Sequence, residues 1–266
     1  MFENRQYKIV VAHPDDEILF FNSVISSDNT IIICYGPSST KAVSDGREKL
    51  KSGYPFRKVV FLDIPEANVY DNVSFAKRKV TSEGVSVTKN SDKYNKNYDQ
   101  VLERLSSQLS SGDTVFTHNP WGEYGHPEHV QVFNAIYSLM DELKLTIFVN
   151  GYVSDKTSDF MFRRLNLISS ESFLRNPDDE LGQKVKRHYI DNNCWTWNSN
   201  YHWPATEIFY RLHRNGEVTN HLYLNSASLP LTTLTGKFTH GLAKHLASRF
   251  LPPEVKAAMK KLLRIR

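Results

Sequence analysis

The chain has 266 residues and 40% hydrophobic content, which suits one large or two small globular domains with a real core. No window holds the ~18 consecutive apolar residues of a membrane span, and Met1-Phe2-Glu3-Asn4-Arg5 lacks the layout of a secretory signal, so a soluble, cytoplasmic protein is expected. The net charge of +4 is modest, and the absence of a basic-aromatic motif argues against a nucleic-acid partner. Cys34 and Cys194 stand in unrelated contexts and support neither a disulfide framework nor a cysteine zinc cage, so any metal must use His and carboxylate.

Residues 8–12 form the first predicted strand, and the chain turns through Ala12-His13-Pro14-Asp15-Asp16-Glu17 into a helical pattern over 16–26. A strand at 30–35, a helix at 41–52 and a strand at 58–62 follow. A helix at 98–110 then leads to a strand at 114–118. The loop 119–124 delivers Gly125-His126-Pro127-Glu128-His129 to the start of a helix over 127–143, and a strand at 146–150 closes the series. Short, continuously apolar strands alternating with helices specify buried parallel strands, so the expected class is α/β: a Rossmann-like, mostly parallel sheet flanked by helices. Beyond 150 the pattern loosens into an irregular C-terminal part, whose best strand is 207–212.

Neither an internal repeat nor a low-complexity linker divides the chain. One domain over 1–235 and a basic helical tail over 236–266 are predicted. The tail carries eight Lys or Arg against Glu254 alone, and Val255, Met259, Leu262 and Leu263 recur at helical spacing after the break at Pro252-Pro253. One reading is a packed helix with a solvated basic face. The other is peripheral contact with a lipid-linked or anionic substrate.

Both His/carboxylate clusters follow predicted strands, and in open α/β sheets the ligand crevice lies outside the carboxyl ends of the strands. Zinc and similar ions accept imidazole nitrogen and carboxylate oxygen, and catalytic sites typically keep three protein ligands and a position for water. His13, one carboxylate of the first cluster and one His of the second would supply that set. Asp15 and Asp16 are adjacent and leave the backbone in different directions, so one can bind the metal while the other reaches its water as general base. His126 and His129 lie three apart and share a helix face if Pro127 begins that helix. Taken singly each cluster is unspecific, since acidic runs commonly begin helices; the conjunction carries the inference.

Ala12-His13-Pro14-Asp15-Asp16-Glu17 together with Gly125-His126-Pro127-Glu128-His129, in this order and separation, resembles the paired motif of the LmbE-like, or PIG-L, zinc-dependent N-deacetylases. The resemblance implies a Rossmann-like fold and a Zn2+ cofactor, with another divalent ion such as Fe2+ as the alternative. It implies removal of the acetyl group from an N-acetylated amino sugar of the N-acetylglucosamine type, within a glycoconjugate, polysaccharide precursor or specialised metabolite. It further implies His13, Asp16 and His129 as metal ligands, Asp15 as general base, and His126 as the group that stabilises the oxyanion or protonates the leaving amine.

The chain departs from that family at Ile18-Leu19-Phe20-Phe21, where many relatives have a glycine pair, and at Glu128, where Asp is frequent. Neither change removes a ligand. Glu66 follows the third strand where relatives often carry a substrate-contacting Asp; it reads equally as an acidic turn residue. Arg47 is a further candidate substrate contact. Trp121 and Tyr124 are expected to border the metal, and the aromatic run 193–203 to cover the sheet edge with one or two rings reaching the cleft. Two other functions suit the sequence: an amidase on a larger sugar or thiol conjugate, and a non-catalytic binding protein that uses the basic tail on lipid or polyanion.

Overall fold

Side-chain alternation along short apolar strands decides which helices pack on which face of the sheet. The computed structural model describes residues 6–70, 79–81, 84–213 and 232–233. The predicted basic tail, with the boundary before it, lies outside the described residues. The first half runs β1 (Lys8–Val11), α1 (Asp16–Phe20), β2 (Thr30–Tyr35), α2 (Lys41–Ser52), β3 (Val59–Ile64), β4 (Val80–Thr81), β5 (Gly84–Val85) and α3 (Ser91–Gln108). It continues with β6 (Thr114–Thr117), α4 (Pro127–Ser138), β7 (Thr146–Asn150), β8 (Tyr152–Val153) and α5 (Ser158–Arg164). Last come β9 (Ile168–Arg175), α6 (Asp179–Asp191), β10 (Glu207–Leu212) and β11 (Thr232–Thr233).

Seven strands form the main sheet in the order β3-β2-β1-β6-β7-β10-β9. The first five are parallel, while β10 runs antiparallel to both β7 and β9. This is the Rossmann-like, mostly parallel sheet that the strand pattern specifies. Along β1 and β2, Ile9, Val11, Ile31 and Ile33 enter one core layer with Phe20 of α1 and Val185 and Tyr189 of α6. Val10 and Ile32 enter the opposite layer with Leu105 of α3 and Phe133 and Ile136 of α4. Each fully buried side chain of this kind contributes roughly 1.5–3 kcal/mol, and because both faces are covered the strands read as continuous apolar runs.

Several segments differ from expectation, among them the helix expected over 127–143, which ends at Ser138. The helix predicted over 16–26 stops at Phe20, with a 3-10 turn at Asn22–Val24. Ile18, Leu19, Phe20 and Phe21 all enter one core layer, which a single helical face cannot achieve. Tertiary partners also claim the next residues: Asn22 exchanges hydrogen bonds with Asp178, and Ser23 donates to Glu207. The third helix begins at Ser91 rather than 98. The part beyond 150 is more regular than its sequence pattern, because β9 and β10 extend the sheet and α6 covers it. Among the described residues no helix is long and apolar enough to cross a membrane.

Candidate metal centre

The chain leaves β1 for β2 and β3 on one side and later places β6 and β7 on the other, so strand order reverses between β1 and β6. A crevice forms outside the carboxyl ends of strands at such a switch point. Ala12-His13-Pro14-Asp15 emerges there from β1, His118 from β6, and the start of α4 brings His126 and His129 across. The Asp15 turn is held in the left-handed region at φ 96°. Pro127 occupies the first turn of α4, where its missing N–H costs nothing, and His126 caps the helix by accepting from the Glu128 N–H at 3.2 Å.

Three acceptor atoms converge. Asp16 Oδ2 lies 3.2 Å from His13 Nδ1 and 3.2 Å from His129 Nε2, and the two nitrogens are 3.3 Å apart. The outer partners assign the tautomers. His13 Nε2 is 3.0 Å from Glu128 Oε2, and His129 Nδ1 is 2.7 Å from Glu123 Oε2; both donate to carboxylates, so Nδ1 of His13 and Nε2 of His129 are the atoms left to face an ion. A divalent ion held here would take the place of a proton between these two nitrogens and the Asp16 oxygen. Their separations match the ligand-to-ligand edge of about 3.3 Å around a tetrahedral ion bound at 2.0–2.2 Å, so the residues fit a small divalent metal.

Without an ion, the surrounding carboxylates favour a protonated His13, whose charge a bound metal would replace. Burial opposes charge on His13, yet hydrogen bonds to Asp16 and Glu128 outweigh it and raise the imidazole to about 10. Burial likewise opposes ionisation of Asp16, but His129, His118 and His13 hold its carboxyl well below the usual range. Asp15 is pushed up to about 7 by burial and by the neighbouring Asp16 charge, with the Thr196 hydrogen bonds working the other way. Burial and the neighbouring His13 and His129 keep His126 well below the ordinary imidazole range. Its Nδ1 accepts from Glu128 N–H, so Nε2 is the donor.

A cavity of about 570 Å³ opens over this cluster, lined by His13, Asp15, Asp16, Tyr124, His126 and Trp197 among others. A larger hollow of about 780 Å³ at the opposite strand ends, around Tyr7 and Arg175, holds none of these histidines and carboxylates. The structure therefore brings His13, Asp15, Asp16, His126 and His129 together.

The predicted substrate contacts fare unevenly. Arg47 and Glu66 both reach the cavity, but bound to each other: Arg47 Nη1 donates to Glu66 Oε1 at 2.5 Å and to the Gly36 carbonyl at 3.0 Å. Tyr124 lines the cavity, its ring 4.9 Å from that of Trp197. Trp121 does not. It is fully buried in the core and donates its indole N–H to the Tyr152 carbonyl at 2.7 Å, because the loop turns at Gly122, φ 67°, and sends the ring inward. From the aromatic run, Trp197 reaches the cavity while Tyr201 and Trp203 are core residues.

Sequence reasoning missed His118, Glu123, Tyr70 and Thr196. His118 also lies within reach of Asp16 and His129 as a metal-holding group. Its Nε2, however, accepts from the Ala12 N–H at 2.8 Å and its Nδ1 faces Glu123 Oε1 at 3.1 Å, so both nitrogens are already used in bracing the site. Its position at a strand end was the available signal. Glu123 is wholly buried and also takes hydrogen bonds from Asn119 N–H and Asn150 Nδ2. Burial opposes its charge, but His118 and His129 bring its carboxyl down to about 2.

The family described as PIG-L: GlcNAc-PI de-N-acetylase matches residues 8–140, half of the chain, and the protein belongs to it. Among solved structures, similarity extends to the zinc-inhibited form of teicoplanin deacetylase Orf2, with 13% identity, 80% of this chain and 100% of that one covered, and a TM-score of 0.48. A pseudoaglycone deacetylase gives 12%, 79%, 98% and 0.49 in the same order. The N,N'-diacetylchitobiose deacetylase of Pyrococcus horikoshii gives 15%, 73%, 74% and 0.37. None of the curated proteins compared with the chain matches it.

Proposed function

We propose that the protein is a metal-dependent de-N-acetylase that hydrolyses the acetamide of an N-acetylated amino sugar. The observation that carries this reading is the convergence of His13 Nδ1, Asp16 Oδ2 and His129 Nε2 beside the Asp15 carboxylate, in a cavity large enough for a sugar. Family membership supports the same chemistry. Held by His13, Asp16 and His129, a divalent ion, zinc or iron, would polarise the carbonyl and lower the pKa of water toward neutrality.

The chain's own groups supply the rest. Asp15, which lines the cavity beside the ligands without being one of them, would take a proton from the attacking water. His126 Nε2–H faces the developing oxyanion as a neutral donor. As the C–N bond breaks, the proton held by Asp15 passes to the departing nitrogen, and the products are acetate and a free amine. Tyr70, Tyr124 and Trp197 offer ring faces to the sugar, while the Arg47–Glu66 pair offers a fixed edge of hydrogen-bonding groups. The two buried, unpaired cysteines suit a reducing cytoplasm.

The test is acetate release by purified, metal-quantified protein from a panel holding free N-acetylglucosamine, N,N'-diacetylchitobiose, a nucleotide-linked sugar and a lipid-linked one. Turnover of at least one member is expected, with Asp15→Asn lowering it by about 10²–10⁴-fold. Absence of acetate from every member, with metal bound, contradicts the reading.

A further inference from the structure

Asp15 sits at φ 96° and ψ −22°, a conformation that a residue with a Cβ keeps only when its surroundings fix it. Two anchors do so. The first acts on the main chain: Asp15 N–H donates to Glu17 Oε2 at 3.1 Å, and Glu17 Oε1 accepts from the Tyr189 hydroxyl at 2.6 Å. Glu17 and Tyr189 are wholly buried, and the Tyr54 hydroxyl lies 3.1 Å from that of Tyr189. The second acts on the carboxylate: Asp15 Oδ2 accepts from Thr196 Oγ1–H at 2.7 Å and from Thr196 N–H at 3.1 Å.

Tyr189 belongs to α6 and Thr196 to the segment after it, both beyond the stretch 8–140 that matches the family. That segment is seated on α2 without slack. A Cβ on Gly46 would come within 2.2 Å of the Asn192 carbonyl and 3.1 Å of Cys194 Cβ.

We propose that Tyr189 and Thr196 are positioning residues for proton transfer by Asp15, an inference that rests on Asp15 being the general base. Tyr189, through Glu17, fixes the backbone of the turn. Thr196 fixes the carboxylate, so that with Oδ2 engaged, Oδ1 is the oxygen that receives the water's proton. Asp16 shares neither anchor; its oxygen is held by His13 N–H at 2.8 Å. The two adjacent aspartates are thus aimed by different parts of the chain, Asp16 from within its own turn and Asp15 from the C-terminal region.

The test combines kinetics with crystal structures of metal-loaded Thr196→Val and Tyr189→Phe. Kinetics use whichever panel sugar the wild type turns over fastest. Each variant is expected to lower kcat about tenfold, since small misplacements of a reacting group are costly, with KM and bound metal unchanged. Thr196→Ser, which keeps the hydroxyl, should restore kcat. In the crystals the Asp15 carboxylate should leave its wild-type position while His13, Asp16 and His129 stay, a readout that does not depend on the substrate. In an Asp15→Asn background, Thr196→Val should add little further loss. Wild-type kcat with an unmoved Asp15 in both variants overturns the proposal. So does an equal kcat loss in Thr196→Ser and Thr196→Val accompanied by a lower melting temperature. Full activity of Asp15→Asn instead overturns the reading on which it rests.

Discussion

Glu123 is the residue on which the orientation of His129 turns. One carboxylate oxygen receives His129 Nδ1–H, the other faces His118 Nδ1, and no solvent reaches either. Glu123→Gln keeps the shape but sets an amide N–H against one of these donors, loosening the ring whose Nε2 faces the proposed ion position. Loss of such an outer partner typically costs 10–100-fold in metal affinity. A competition titration with a chelating dye should show a fall of about that size in a variant that remains folded. Unchanged affinity would remove Glu123 from this role.

The contrast between legible and hidden site residues has a local cause. His13, Asp15 and Asp16 follow directly on a strand, and His126 and His129 share the first turn of one helix, so spacing alone brings them near one another. Glu123 reads as an ordinary loop acid three residues before His126, and only the fold of the 119–122 turn aims it at two rings. The same turn buries Trp121, whose sequence position suggested a cavity-lining ring. Thr196 and Tyr189 lie so far from Asp15 along the chain that no spacing rule connects them.

At the scale of elements, α2 is the brace between the parallel half of the sheet and the C-terminal region. Gly46 permits its close contact with the loop at 192–194, since any side chain there meets main-chain atoms that cannot rotate away. Gly46→Ala should therefore destabilise the protein by about 1–3 kcal/mol, the usual cost of overpacking, and lower kcat as well by shifting the segment that carries Thr196. Denaturant unfolding and turnover check this together. A wild-type midpoint with wild-type kcat would show that α2 and the loop separate freely.

The βαβ half was legible because strands buried on both faces are uniformly apolar and the helices between them keep their period. The antiparallel edge was not. In β9 the run Ser169-Ser170-Glu171-Ser172 carries little apolar signal, and it becomes a strand through pairing with β10, a partner more than thirty residues away in sequence. Likewise α1 ends early because core packing and contacts with Asp178 and Glu207 override the helical pattern of 16–26.

Across the whole molecule, two regions of the chain meet at one switch point. The stretch 8–140 contributes the three convergent acceptors, and the region after β7 contributes Tyr189, Thr196 and Trp197 around them. On the proposed function, metal binding falls to the first region and alignment of Asp15, with part of the cavity wall, to the second. A single-ion site of His13, Asp16 and His129 underlies the proposed chemistry, and metal content after chelation and reloading with Zn2+ probes it. One tightly bound ion is expected per wild-type chain, lost in His13→Ala and in His129→Ala while both stay folded. Full occupancy in both variants would contradict it.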